Sequence, residues 1–367
     1  MARASAGARL HFGFCNLSLS HERLYGALGL ALAEPRVAVS ATPAETVTVA
    51  LTDDGVADGE IGNPNAPGTG TADAIREDVR GYALAATNRL DVPGASITVE
   101  SLLPRHAGLG SGTQLAATTL AAVARAHDRE PRVREHAPAL GRGGRSGIGV
   151  AAFESGGFVL DAGHPTARFT TDRPADGDWT VPPVSARHPV PEDWRFLLVQ
   201  PDAEPGRDGA DEGASMRAAV ERADPGLADR IAGIVTRRVL PAIATGRAEA
   251  FGAAIAAVGR LNGAWYADEQ GGVYRPPVGD VVASLSSSPA VFGAGQSSWG
   301  PTVYGVTDAD RATAAAEAGD RALDRADIGG TVSVVRATNE GARVVGDGAR
   351  RVGDATSRSA DGDEGQH

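Results

Sequence analysis

A chain of 367 residues with 42% hydrophobic side chains can bury a core sufficient for two ordinary domains, which excludes a disordered protein. Forty-six acidic against 35 basic residues leave a net charge of −11, which excludes nucleic acid and anionic membranes as partners, since phosphate repels such a surface. The single cysteine, Cys15, excludes an internal disulfide and any multi-cysteine zinc site; its apolar surroundings in HFGFCNL suit a structural thiol.

All of the basic residues are arginine, because the sequence contains no lysine. That pattern fits a salt-loving cytosol, and it also fits GC-rich codon usage. Aromatic residues are only 5%, so Ala, Val, Leu and Ile must supply most of the core. No run approaches the roughly 20 apolar residues of a membrane-spanning helix. The start, with Arg3 and Arg9, lacks the apolar core of a signal peptide, so a cytoplasmic location is expected.

In chain order, 8–17 reads as an opening strand. RVAVSAT (36–42) and ETVTVAL (45–51) alternate apolar and polar residues around a proline-containing turn and read as a hairpin. Residues 53–70 form an acidic Gly/Pro-rich loop, and 72–88 a helix with Ile75, Val79, Tyr82 and Ala86 on one face. A strand at 96–102 leads into GLGSGT (108–113) and an alanine-rich helix over 115–126. A short helix near 133–140 ends at GRGGRSGIG (141–149), and 149–163 reads as two strands turning at Gly156–Gly157. The stretch 165–191 lacks a period and is the expected domain boundary. Beyond it come a strand (194–201), helices (215–243, 246–261, 278–288), strands (290–295, 301–306), a helix (308–324) and a strand (331–338). That order suits a ferredoxin-like sandwich. Residues 339–367 are rich in Gly, Asp, Arg and Ser and read as a disordered acidic tail.

Three stretches carry chemistry. Gly108, Gly110 and Gly112 let backbone approach an oxyanion at a helix N-terminus, with the amides of 108–113 as donors and the Ser111 and Thr113 hydroxyls beside them. Arg105 and His106 stand just upstream; a glycine-rich turn before a capped helix is the plain alternative. GxxxxGK[ST] and GxGxxG are both absent. Arg142 and Arg145, spaced by glycines, suit two guanidinium forks around an anion, or else a surface turn. GAGQSSWGPTVYG (293–305) is either a tight turn between core strands or a polar rim made by Gln296, Ser297 and Ser298. The histidines show no metal-pair spacing, and no GxSxG elbow or hydrolase triad is present. His11, within a strand, has a plain reading as a hydrogen-bonded core residue.

ARLHFGF near the start, P-x3-GLGSGT before a helix and GQSSWGPTVYG near the end resemble the three blocks of the GHMP kinase superfamily. A narrower likeness is to the β-ribofuranosylaminobenzene 5′-phosphate synthases, an archaeal branch active in methanopterin biosynthesis. It rests on HFGF with YGALGLAL (25–32), on GLGSGTQ, and on GRGGRSGIGVAAFESGGFVLDAGH (141–164), and it spans about 8–338. The resemblance implies a two-domain α+β fold: an N-terminal α+β half (1–185) holding the phosphate loop, a ferredoxin-like half (186–338), and an active site in the cleft between them. It implies a homodimer. It also implies that phosphoribosyl diphosphate and 4-aminobenzoate, or 4-hydroxybenzoate, give a C-riboside 5′-phosphate, CO2 and diphosphate.

Kinases of the superfamily commonly read SG-V-D where this chain has SGIG, so Gly149 stands in place of a catalytic aspartate. Gly112–Thr113 likewise stands where those kinases often carry Ser–Ala. A kinase using Asp161 as base and a non-catalytic sugar-phosphate-binding protein remain the alternatives. For the synthase, the amides of Gly108, Leu109, Gly110, Ser111, Gly112 and Thr113 are expected to hold the leaving diphosphate. Mg²⁺ with Ser111 as a ligand, together with Arg142 and Arg145, would add to that stabilisation. His11 joins these arginines as a catalytic candidate. Arg105, His106, Gln114, Gln296, Ser297 and Ser298 are substrate-binding candidates, and Arg23 is a further one for the benzoate or the ribose 5-phosphate.

Overall fold

The computed structural model describes residues 1–52, 72–166, 179–204, 206 and 209–346. The acidic loop expected at 53–70, much of the expected boundary (167–178) and the last part of the expected tail (347–367) lie outside the described residues.

The N-terminal unit begins with a long antiparallel pair, β1 (Ala2–Asn16) and β2 (Arg23–Ala44). β3 (Thr48–Leu51) follows, then α1 (Ala72–Leu90), β4 (Gly94–Ser101) and α2 (Ser111–Ala126). The expected hairpin of 36–42 with 45–51 does not form. β4 inserts between its two strands, antiparallel to β2 and parallel to β3. Alternating side chains make each segment a strand, but pairing partners are decided by burial across the whole sheet. α3 (Val133–His136) runs into a 3₁₀ turn, Ala137–Leu140.

Residues expected as the first of two strands in 149–163 are instead α4 (Ile148–Ser155), followed by β5 (Phe158–Asp161). A short apolar run cannot separate a buried helix from a buried strand by period alone. β6 (His164–Pro165) pairs with β2, and β7 (Val184–His188) pairs with β5, so a boundary at 185 cuts through a strand of the first sheet.

The second unit opens with β8 (Trp194–Pro201) and α5 (Gly209–Arg222). Next come α6 (Pro225–Ile234), capped by the Asp224 carboxylate, a π-helical turn, and α7 (Leu240–Ala244). α8 (Ala248–Gln270), α9 (Val278–Ser286), β9 (Gly293–Gln296), β10 (Val303–Asp308), α10 (Ala312–Arg325) and β11 (Gly330–Val335) complete it. The sheet order β11-β8-β10-β9, antiparallel throughout, is the ferredoxin-like arrangement. A last strand, β12 (Arg343–Gly346), returns to pair with β1, so residues 343–346 belong to the first sheet rather than to a disordered tail.

The scarce aromatics concentrate where the two units meet. Phe12 of β1 packs edge-on to Tyr304 of β10 at 4.9 Å, and Phe251 of α8 touches both Phe158 of β5 and Trp194 of β8. All five rings are buried in one continuous core, which fixes the C-terminal end of β1 against α8 and β10. Every residue of α2 from Gln114 to Ala124 is buried, and its alanines and threonines let it lie close on β1 and β2. The cleft opens where the start of α2 meets that joint.

Candidate active site

α2 begins abruptly. Gly110, its N-cap, has φ 81° and no side chain caps the helix; the first intrahelical bond runs from the Gln114 amide to the Gly110 carbonyl. The amides of Ser111, Gly112 and Thr113 therefore have no carbonyl of their own helix to bond, and these residues line the cleft. Gly108 is also left-handed (φ 81°), and a Cβ there would stand 2.2 Å from the Ser297 carbonyl oxygen. Its own carbonyl accepts from Arg9 Nη1 and from Ser297 Oγ, both at 2.7 Å. These bonds turn the carbonyl dipole away from the space an anion would fill.

The cleft holds about 460 Å³ and is lined by four arginines from three segments. Arg105 pairs with Asp78 at 2.6 Å, and Arg145 pairs with Glu212 at 2.9 Å. Arg142 lies across the Tyr82 ring, donates to the Tyr82 hydroxyl and keeps its buried Nε without a hydrogen-bond partner. Its guanidinium also covers the first turn of α2, since a Cβ on Gly112 would stand 3.0 Å from Arg142 Nη1. Trp179 Nε1 donates to the Arg142 carbonyl and fixes the base of that loop. Arg9 completes the set. Burial lowers its pKa to about 10, against the opposing pull of Glu212, so it stays charged at neutral pH. Sequence reasoning passed over Arg9, although it sits two residues before His11 on the same strand face.

Not every expected site residue reaches the cleft. Arg105, His106, Gly108, Gly110, Ser111, Gly112, Thr113, Arg142, Arg145, His11 and Ser298 line it. The Leu109 side chain is buried in the core, and its carbonyl accepts from the Arg9 amide. Gln114, expected to bind substrate, is fully buried and donates to the Gly149 carbonyl at 2.8 Å. Ser297 is fully buried too: it accepts from the His11 amide and donates to Gly108, so it is a strut between β1 and the phosphate loop rather than a ligand contact. The Gln296 side chain accepts from the Arg275 amide and donates to the Ser298 carbonyl; it is absent from the cleft lining but lines the smaller space behind it. Arg23 donates to the carbonyls of Ala162 and Gly163, outside the cleft lining.

Gly149 and Asp161 bear on the kinase alternative. A Cβ at Gly149 would lie 2.8 Å from Thr113 Cγ2, so the Thr113 side chain would have to move before any side chain could stand there. Asp161 is 2% exposed and accepts from the amides of Gly147, Gly163 and Ala27 at 2.7–3.1 Å. Burial raises its pKa to about 6 against those bonds. It anchors the 141–149 loop and is not among the residues lining the cleft. Asp161→Asn leaves fewer acceptors for the amides and is expected to cost about 2 kcal/mol of stability, read from the denaturation midpoint; an unchanged midpoint would remove this anchoring role. Cys15 is no nucleophile, because burial and the Asp161 charge push its thiol up to about 12.

Behind the cleft lies a smaller annex lined by aromatic rings, glycines and the side chains of Asn262, Gln270 and Gln296. His11, Phe14, Ser298 and Trp299 line both spaces, while Phe12, Gly259, Gly263, Tyr266 and Tyr274 line the annex alone. His11 is 6% exposed, and its Nδ1 has no hydrogen-bond partner. Burial, helped by the Arg9 charge, lowers its pKa to about 3, so the imidazole is neutral at working pH.

The residues fit Mg²⁺ only partly. Among the described residues no group of three His, Cys, Asp or Glu side chains could hold a metal. The two cleft carboxylates, Asp78 and Glu212, are both paired with arginine. Mg²⁺ commonly binds through one or two carboxylates plus substrate phosphates. The Ser111 hydroxyl at the start of α2 is the donor that such an arrangement would use here.

Comparison with known proteins gives the same outline. Residues 73–157 match the GHMP kinases N terminal domain, and residues 239–325 match the GHMP kinases C terminal domain. The chain is 34% identical over 309 residues to a beta-ribofuranosylphenol 5′-phosphate synthase of Methanothermobacter thermautotrophicus, covering 82% of this chain and 87% of that protein. It is 30% identical to the protein of the same name from Archaeoglobus fulgidus, over 84% of this chain and 89% of the other. Among solved structures, a homoserine kinase from Cytophaga hutchinsonii superposes with a TM-score of 0.59 at 18% identity, covering 94% of this chain and 97% of its own. At that identity the likeness concerns the fold alone.

Proposed function

Because the chain belongs to the GHMP-fold family of β-ribofuranosylphenol 5′-phosphate synthases, we propose that it transfers ribose 5-phosphate from phosphoribosyl diphosphate to a 4-substituted benzoate, releasing CO2 and diphosphate. The observation that carries this reading is a strongly cationic cleft opening onto an aromatic chamber, with both lining carboxylates neutralised by arginine. A phosphotransferase needs a group to take up the acceptor proton. This reaction needs none.

The balance is simple. The bond from ribose C1 to the diphosphate oxygen breaks, and its electron pair leaves with the diphosphate. The ring carbon bearing the carboxylate, made electron-rich by the 4-hydroxyl or 4-amino group, bonds to C1. The ring–carboxylate bond then breaks, and its electron pair restores aromaticity as CO2 departs. The free amides at the start of α2, with Arg142 and Arg145, stabilise charge gathering on the leaving oxygens. Mg²⁺ brought in on the diphosphate, with Ser111 as a protein ligand, would supply further charge neutralisation. Holding two substrates in one orientation provides much of the remaining acceleration. The relatives' printed names favour a 4-hydroxy acceptor. A cytoplasmic location and a role in methanopterin-type cofactor synthesis belong to the same proposal; among the described residues no helix is long and apolar enough to cross a membrane.

The test is incubation with phosphoribosyl diphosphate, Mg²⁺ and carboxyl-labelled 4-hydroxybenzoate or 4-aminobenzoate. Labelled CO2 without ATP supports the reading, and label retained with both acceptors overturns it. His11 adds a pH criterion. Its pKa is depressed to about 3, so the charged form is absent between pH 5 and 8 and no limb of the rate profile in that range belongs to it. His11→Asn is expected to lower kcat without moving either limb. An acid limb near pH 6 that disappears in this variant would contradict a neutral imidazole.

A further inference from the structure

We propose that the annex behind His11 is the subsite for the aromatic acceptor, with Gly259 forming its floor and setting which substituents fit; this rests on the reaction proposed above. Water centres can occupy about 50 Å³ of it. At about 10–15 Å³ per water on that measure this is room for roughly three to five waters, close to the bulk of one substituted six-membered ring. Phe12, Phe14, Tyr266 and Trp299 supply its aromatic surface.

Orientation follows from the reaction. The carbon that bonds to ribose must face the cleft, so its carboxylate passes the shared rim of His11 and Ser298. The 4-substituent, on the opposite side of the ring, then points to the floor. The buried Tyr274 hydroxyl stands there without a hydrogen-bond partner, 3.7 Å from where a Gly259 Cβ would lie. A phenol hydroxyl both donates and accepts, so it can meet a hydroxyl or an amino group.

The glycines of the annex are not equivalent. A Cβ at Gly13 would stand 2.5 Å from the Asn262 side chain, and one at Gly263 would stand 2.0 Å from the Val273 carbonyl oxygen. Packing requires both. A Cβ at Gly259 would meet only Tyr304 Oη at 3.5 Å and Tyr274 Oη at 3.7 Å, which are ordinary contacts. Glycine inside the 23-residue α8 nevertheless costs about 1 kcal/mol relative to alanine. Packing does not explain that residue, whereas the space it leaves at the annex floor does.

The test separates binding from turnover. Calorimetric titration of 4-hydroxybenzoate into wild-type protein with diphosphate and Mg²⁺, which fill the cleft but cannot react with it, gives the reference affinity. Gly259→Ala is expected to weaken it about tenfold or more, in line with one methyl group in an apolar pocket. Affinity for phosphoribosyl diphosphate should stay within about twofold and the melting temperature should not fall, since alanine is the better helix former. Tyr274→Phe is the second variant. It is expected to weaken 4-hydroxybenzoate while leaving unsubstituted benzoate unchanged. Unaltered 4-hydroxybenzoate binding in both variants overturns the subsite, as does a parallel loss for both benzoates in Tyr274→Phe. Weakened binding in the variants together with no CO2 from wild type would overturn the reaction and leave the subsite standing.

Discussion

Arg142→Gln combined with Arg145→Gln lowers kcat by about 10³-fold or more, while the protein stays folded. Removing one preorganised donor to a developing oxyanion typically costs about 10²–10³ in rate, and two adjacent donors acting on one leaving group are both lost here. Glutamine keeps a donor and much of the bulk but has no charge to meet a diphosphate. Stability should survive because both guanidinium groups face the cleft rather than the core. The loop beneath them is held by bonds the substitutions do not touch, from Trp179 Nε1 to the Arg142 carbonyl and from the Gly147 amide to Asp161. Single-turnover kinetics with saturating substrates is the check. Full turnover in a folded double variant would make 141–149 a surface turn.

Gly110→Val is expected to weaken phosphoribosyl diphosphate binding by on the order of 100-fold, equivalent to losing one or two charge-assisted hydrogen bonds. Two causes combine. At φ 81° a β-branched residue is strongly disfavoured. The new Cβ would also stand 2.8 Å from Arg9 Cγ and 3.0 Å from Arg9 Nε. Relief of that contact pushes Arg9 away from the Gly108 carbonyl, and the loop then loses the bond that aims its amides. Unchanged affinity by calorimetry, in a variant whose circular dichroism matches wild type, would place the diphosphate elsewhere.

The readable part of this protein was the part whose chemistry is local. GLGSGT announces itself because closely spaced glycines ahead of an apolar helix have few other uses. The ferredoxin-like order follows from alternating strand and helix periods. The N-terminal sheet was harder. YGALGLALAEP is short of β-branched residues, so only its role as a motif stood out, yet it forms half of the 22-residue β2. The parallel pairing of β3 with β4 depends on contacts nearly 50 positions apart, which no local pattern specifies.

Polar residues beside a glycine loop look like ligand contacts, but Gln114 and Ser297 are buried struts, and sequence cannot tell the two apart. Arg9 was legible in principle from its spacing with His11. The annex was not. Its walls come from β1, α8 and the turn after β9, and its floor is the absence of a side chain at Gly259.

The central claim is that the anion held at the start of α2 is a departing diphosphate and not a nucleotide. Quantifying products from phosphoribosyl diphosphate and carboxyl-labelled 4-hydroxybenzoate, with Mg²⁺ and no ATP, tests it most directly. The expected result is labelled CO2 and diphosphate in equal amounts, with a C-linked riboside 5′-phosphate as the remaining product. Label retained in the acceptor, with ATP consumed against a sugar or alcohol in a parallel incubation that supplies it, would contradict it.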